Sequence, residues 1–163
     1  MPDLLVTVSI SRDNLALPAL LLEDFDSPAP SDTRYRVVNF GPGEKAMKQQ
    51  WAEAPWIEGK YLTSSVKEQR EMRLVGRCYF TSMLEMQNRY QELEAAFSQF
   101  IYELSVELTY PGGDSATGVW QAYAAPSLSM GDAGSFNPQA LRSGIQEFVV
   151  TIPVLPTPIS GGF

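Results

Sequence analysis

EMRLVGRCYFTSMLEMQNRYQELEAAFSQFIYELSVELTY, residues 71–110, sets a strand, a helix and a second strand end to end. In the first ten residues Met72, Leu74, Cys78 and Phe80 alternate with Glu71, Arg73 and Arg77, the period of two that marks a strand with one buried face. Gly76 interrupts this run and reads as the place for a bulge. The last ten are cleaner: Tyr102, Leu104, Val106, Leu108 and Tyr110 point one way, Glu103, Ser105, Glu107 and Thr109 the other. Between them, over about residues 82–99, Met86, Tyr90, Leu93, Phe97 and Ile101 recur at steps of four and three, which draws one apolar stripe along a helix. Gln87, Arg89, Gln91, Glu92 and Glu94 fall on its wet side. Ser82 and Glu85 form the S-x-x-E start signal, in which the hydroxyl takes one free backbone N–H and the carboxylate reaches back to another. A lone amphipathic helix among strands must bury its stripe across an opening or a face of the sheet.

Outward from this unit the chain stays β in character. LLVTVSI (Leu4 to Ile10) and RYRVVNF (Arg34 to Phe40) have strand composition, and LEDFDSPAPSD (Leu22 to Asp32) reads as a solvated acidic loop between them. Residues 41–62 mix glycine, proline and two tryptophans without a sustained period and predict a long arm or an irregular hairpin. PGGD (Pro111 to Asp114) supplies a turn after which VWQAYAA (Val119 to Ala125) returns antiparallel. MGDAGSFNPQALRSG (Met130 to Gly144) reads as a glycine-rich loop, IQEFVVTIPVL (Ile145 to Leu155) as a further strand, and residues 153–163 as a Pro/Gly-rich tail. The expectation is a single mainly β (α+β) domain over residues 1–163, an antiparallel β-sandwich or small barrel flanked by one amphipathic helix.

Composition narrows the function classes. A 44% hydrophobic content fills a core without metal or disulfide staples, and the single cysteine, Cys78, forms no intrachain bridge. The apolar run from Leu15 to Leu22 is too short to span a bilayer, and no charged-then-apolar leader opens the sequence. These features predict a soluble protein of a reducing compartment, with no membrane insertion. Twelve basic against 19 acidic residues, a net charge of −7, remove the phosphate attraction that drives nonspecific nucleic-acid binding. The same charge suits a surface past which a polyanion slides.

Catalytic chemistry finds little support. The chain has no histidine, hence no imidazole base, nucleophile activator or metal ligand. Cys78, on the inward face of its strand, reads as a buried thiol rather than a nucleophile. GPGEK (Gly41 to Lys45) lacks the glycine spacing and Lys-Ser/Thr ending of a phosphate loop. Glu103 and Glu107 share a strand face but read as a solvated surface rather than a glycosidase pair. Glu23, Asp24, Asp26 and Asp32 match no EF-hand spacing. No cofactor, metal or catalytic residue is expected. Trp51 and Trp56 in QQWAEAPWIEG need a surface to cover, and three remain open: their own core, a subunit interface, or a sugar. Trp51, Trp56, Ile57 and Tyr61 are the candidate interface residues.

The order of elements, carried by WIEGKYLTSSVKEQREMRLVGRCYFTSMLEMQNRYQELEAAFSQFIYELSVELTY and then GVWQAYAAPSLSM, resembles the tail-tube superfamily of bacteriophages and related contractile machines. Within it the chain is similar to the distal tail, or minor tail, proteins of siphophage-type, long noncontractile-tailed phages. The resemblance implies a structural virion protein in the phage tail, made in the host cytoplasm. It would form a homo-oligomeric, commonly hexameric, ring joining the tail tube to the tail tip, beside the tube, tape measure and other tip proteins. DNA would pass through the lumen without specific binding, and the arm would reach a neighbouring subunit or ring. The larger family members often carry a second, galectin-like C-terminal domain, and the resemblance implies a minimal ring-former without one here. The alternatives are a major tail tube or tail terminator protein and, in another class, a carbohydrate-binding β-sandwich module.

Overall fold

The computed structural model describes residues 5–11, 20–24, 34–56, 58–109, 112–130 and 138–162. Along the chain these form β1 (Leu5–Ser11), β2 (Leu20–Asp24), β3 (Tyr35–Gly41), β4 (Met47–Glu53), β5 (Lys60–Lys67) and β6 (Arg70–Tyr79). They continue as α1 (Met83–Phe97), β7 (Ile101–Thr109), β8 (Ser115–Tyr123), β9 (Ser127–Met130), α2 (Pro138–Ser143), β10 (Ile145–Val154) and β11 (Ser160–Gly161). The protein is mainly β, as its alternation predicts.

Among the described residues nine strands build one sheet in the order β11-β8-β7-β1-β2-β3-β6-β10-β9, while β4 and β5 form a separate two-stranded ribbon. All pairings are antiparallel except β2–β3, a short parallel seam with Glu23 opposite Arg36 and Asp24 opposite Val37. That seam divides the sheet into a β1–β7–β8 half and a β3–β6–β10 half, whose inner faces share one core. Val8, Ile10, Leu104, Val106 and Trp120 come from the first half, Met72, Leu74, Cys78, Phe148, Val150 and Ile152 from the second. The arrangement is a curled sandwich and not a closed barrel. β8 and β10 meet only at Ala122 and Val154, because the far edge of each is taken by a short strand, β11 on β8 and β9 on β10.

The meeting point is a corner. After Val154 the chain leaves β6 and runs along β8, with Leu155 N–H donating to Gln121 O at 3.0 Å and Ile159 N–H to Val119 O at 2.6 Å. Strands that switch sheets in this way make the corners of packed sheets. The Pro/Gly-rich tail is therefore ordered over Leu155–Gly162, with Ser160 opposite Val119 and Gly161 opposite Gly118.

The start signal of α1 is realised with one change. The Ser82 hydroxyl accepts from Glu85 N–H at 3.2 Å, but the Glu85 carboxylate reaches past Ser82 to the N–H and hydroxyl of Thr81, at 2.8 and 2.9 Å. Those two bonds stabilise the ionised form and hold the Glu85 carboxyl below its ordinary range. Met86, Leu93 and Phe97 are buried in the shared core and Tyr90 packs partly against it, while Ile101 leaves the stripe and opens β7, exposed. Two residues assigned to the wet side instead tie the helix down. Arg89 Nε donates to Tyr79 O at 3.2 Å, and Glu92 accepts from the Tyr35 hydroxyl at 2.6 Å while facing Arg34 at 3.5 Å. Near its other end, Phe97 O accepts from Ala125 N–H at 2.8 Å, so the helix bridges both halves of the sandwich.

Three local expectations are corrected. The bulge lies not at Gly76 but across from it in β3, where Val38 is the extra residue between Val37 and Asn39. Gly76 makes room, since a Cβ there would sit 2.5 Å from the Phe148 ring and 2.8 Å from Arg36 O. Leu22 to Asp24 belong to β2 rather than to a loop, because backbone pairing with β1 and β3 outweighs their acidic composition. The glycine-rich segment before β10 contains α2, which Pro138 is suited to open.

Candidate functional site

The ribbon is inserted between two neighbouring strands. β3 and β6 are paired, with Gly41 opposite Arg73, and the chain between them runs out through β4 and back through β5. Its root is closed by Glu68 N–H donating to Ala46 O at 3.0 Å. Gly43 allows the crossing there: its φ is +73°, and a Cβ would collide with Glu71 O. Where the sequence predicts a long arm or an irregular hairpin over residues 41–62, β4 and β5 form an antiparallel hairpin with one register shift, ending at Lys67.

Register assigns the two faces of the ribbon. Met47 pairs with Lys67, Gln49 with Ser65, Trp51 with Leu62 and Glu53 with Lys60, all on one face. Lys48 pairs with Val66, Gln50 with Ser64 and Ala52 with Tyr61 on the other. Thr63 is the extra residue of a bulge in β5, and its hydroxyl donates to Gln50 O at 2.9 Å. Lys60 and Glu53 make an exposed ion pair at 3.5 Å near the tip.

Large apolar side chains stand in solvent along this ribbon. Trp56 is 82% exposed, Val66 62%, Trp51 54%, Met47 53%, Leu62 45% and Tyr61 42%. Trp51 and Trp56 therefore do not fold back onto the core. Ile57, the fourth candidate interface residue, lies outside the described residues. Met47, Leu62 and Val66 escaped the sequence reading because neither MKQQWAE nor KYLTSSVK has a sustained apolar alternation. A signal was present: all four lysines of the chain, Lys45, Lys48, Lys60 and Lys67, fall in this one segment. Against Glu53 and Glu58 they give residues 45–67 a net charge of +2, which leaves −9 on the rest of the −7 chain.

Beside the root lies a groove of about 400 Å³, between Lys45, Met47, Lys67 and Arg70 on one side and Pro156, Pro158 and Gly162 on the other. Arg70, 4% exposed, stacks its guanidinium 5.7 Å from the Trp120 ring, and burial lowers its pKa.

The outer faces of the sandwich differ in charge. Thr7, Ser9, Glu103, Ser105, Glu107, Thr117 and Gln121 are in register on the β1–β7–β8 half, with no lysine or arginine in those three strands. On the β3–β6–β10 half Arg77 pairs with Glu147 and with Arg36, which is itself buried. Burial pushes the Cys78 thiol up to about 11, which keeps it protonated and unreactive. Glu23 and Asp24 lie on β2, while Asp26 and Asp32 fall outside the described residues. Among the described residues no group of acidic and cysteine side chains is placed to hold a metal ion, and no helix is long and apolar enough to cross a membrane.

No protein-family model matches the chain, and no curated protein matches it. Among solved structures it is similar to a chain of the baseplate of the anti-feeding prophage, imaged by electron cryomicroscopy with six-fold symmetry. The TM-score is 0.41 at 12% identity, over 95% of this chain and 90% of that one. A likeness of that degree leaves partners and assembly unassigned.

Proposed function

We propose that this chain is a structural protein of a phage tail that closes into a ring and joins the tail tube to the tail tip. The observation that carries the proposal is the β4–β5 ribbon, which stands clear of the core with six large apolar side chains in solvent. Isolated two-stranded ribbons are marginal in water, and exposed tryptophans of this kind are the residues on which interfaces concentrate their energy. The resemblance of residues 56–110 to distal tail proteins supports the same role. The β1–β7–β8 outer face, hydroxylic and acidic, is the surface suited to face passing DNA, since like charge keeps a polyanion mobile. The role is assembly, without turnover of a substrate, in a virion part made in the host cytoplasm. Tube, tape measure and tip proteins are the neighbours it would meet.

Light scattering on the purified chain, with negative-stain images of the same fractions, tests this. Closed rings with a central hole support a distal ring, and long stacks move the assignment to a tube subunit. A monomer that also fails to join purified tail components sinks the proposal.

A further inference from the structure

The groove beside the ribbon root lies within one copy of the chain, and backbone hydrogen bonds pin both of its walls. On one side Glu68 N–H donates to Ala46 O at 3.0 Å; on the other Ile159 N–H donates to Val119 O at 2.6 Å and Gly162 N–H to Thr117 O at 3.2 Å. The space of about 400 Å³ between them is therefore built into the fold, which lowers the cost of ordering a site around a ligand. Its two sides differ in chemistry. Lys45, Lys67 and Arg70 bring three cations against one carboxylate, Glu68, on a chain whose net charge is −7. Pro156 and Pro158 form an apolar wall opposite.

Arg70 holds the first inward position of β6, in line with Met72 and Leu74, where the alternation calls for an apolar residue. It is buried on the Trp120 ring yet forms part of the groove, so its guanidinium meets a ligand in a site of low dielectric. A charge-assisted hydrogen bond to a carboxylate is strong there. We infer that the groove is a binding site for the C-terminal end of a partner protein, its α-carboxylate on Lys45, Lys67 and Arg70 and its last, apolar side chain against Pro156 and Pro158. A phosphate would use the cations and leave the prolines idle; an uncharged apolar ligand would do the reverse. A pocket of this size takes a small molecule's worth of atoms, so a chain end fills it where a continuous segment would have to pass through. The inference goes beyond the ring proposal and does not require it.

Fluorescence polarisation of the full chain with a dye-labelled hexapeptide ending in leucine tests this. The free acid is expected to bind, and its C-terminal amide to bind about tenfold more weakly or less. A free acid ending in serine should also bind more weakly, for want of the apolar contact. Lys45→Gln with Lys67→Gln changes two exposed side chains, so the thermal midpoint should hold while affinity for the free acid falls by about tenfold. Equal binding of acid and amide, no binding of the acid at millimolar concentration, or unaltered binding by the double variant overturns the site. An amidated hexapeptide with an internal glutamate that binds as tightly as the free acid overturns the chain-end assignment. Displacement of the peptide by an equal concentration of oligothymidylate overturns it too, in favour of phosphate. The ring reading is unaffected by any of these results, because light scattering reads assembly separately.

Discussion

The curled sandwich and the β4–β5 ribbon are both built from antiparallel strands, yet they treat apolar side chains in opposite ways. In β6, β7 and β10 each strand turns one face inward, and residues such as Leu74, Leu104 and Val150 are completely buried. In the ribbon neither face is covered, and Trp51, Leu62 and Val66 remain about half exposed or more. The same chemistry thus has two outcomes: where the chain supplies its own second layer it makes a core, and where it does not the apolar side chains stay in solvent. A variant that damages one region should leave the other's property untouched.

The largest stability effect is expected at the centre of the sandwich. Trp120 is fully buried, with its ring lying where a Cβ on Gly118 would have to be. Trp120→Ala should cost about 3–5 kcal/mol, read as a fall in the urea midpoint. Gly76→Ala comes next, since the new methyl meets the Phe148 ring and the backbone of β3. Overpacking of this kind costs about 1–3 kcal/mol, and unfolding of the variant in denaturant should show it. Ser82→Ala removes the helix cap and should cost about 1 kcal/mol.

Glu85 gives the helix start a pH signature. A carboxyl held below its ordinary range contributes stability that is full above the unfolded-state value and lost as pH falls through the folded one. The thermal midpoints of the parent chain and Glu85→Gln should therefore differ at neutral pH and converge in acid. The smallest effect on stability is expected at the ribbon tip. Trp56→Ser should move the unfolding free energy by less than about 0.5 kcal/mol while weakening assembly.

How much of this was legible in the sequence follows the same divide. Strict alternation in Tyr102–Leu108 and the four- and three-residue steps from Met86 to Phe97 are periods imposed by a core in the same chain, so β7 and α1 could be read directly. Glu92 and Arg89 were misplaced because a polar residue on a helix carries no mark of the Tyr35 hydroxyl or Tyr79 carbonyl that awaits it across the sheet. β2 was misread because its pairing partners, β1 and β3, override an acidic composition. The ribbon was visible as an arm or an irregular hairpin through Trp51 and Trp56, but its strand limits were not. A ribbon that no second layer of its own chain covers need not alternate. The clustering of every lysine there was the readable clue.

Excision of the ribbon tests the division most directly. Because Ala46 O and Glu68 N–H already meet at the root, residues 47–67 can be replaced by a two-residue turn without moving β3 or β6. Scanning calorimetry and light scattering would then be run on the excised and full chains together. The account predicts a cooperative transition of the excised monomer at the midpoint of the full-length monomer, with assembly abolished. Loss of cooperative unfolding, or rings that still form without the ribbon, would contradict it.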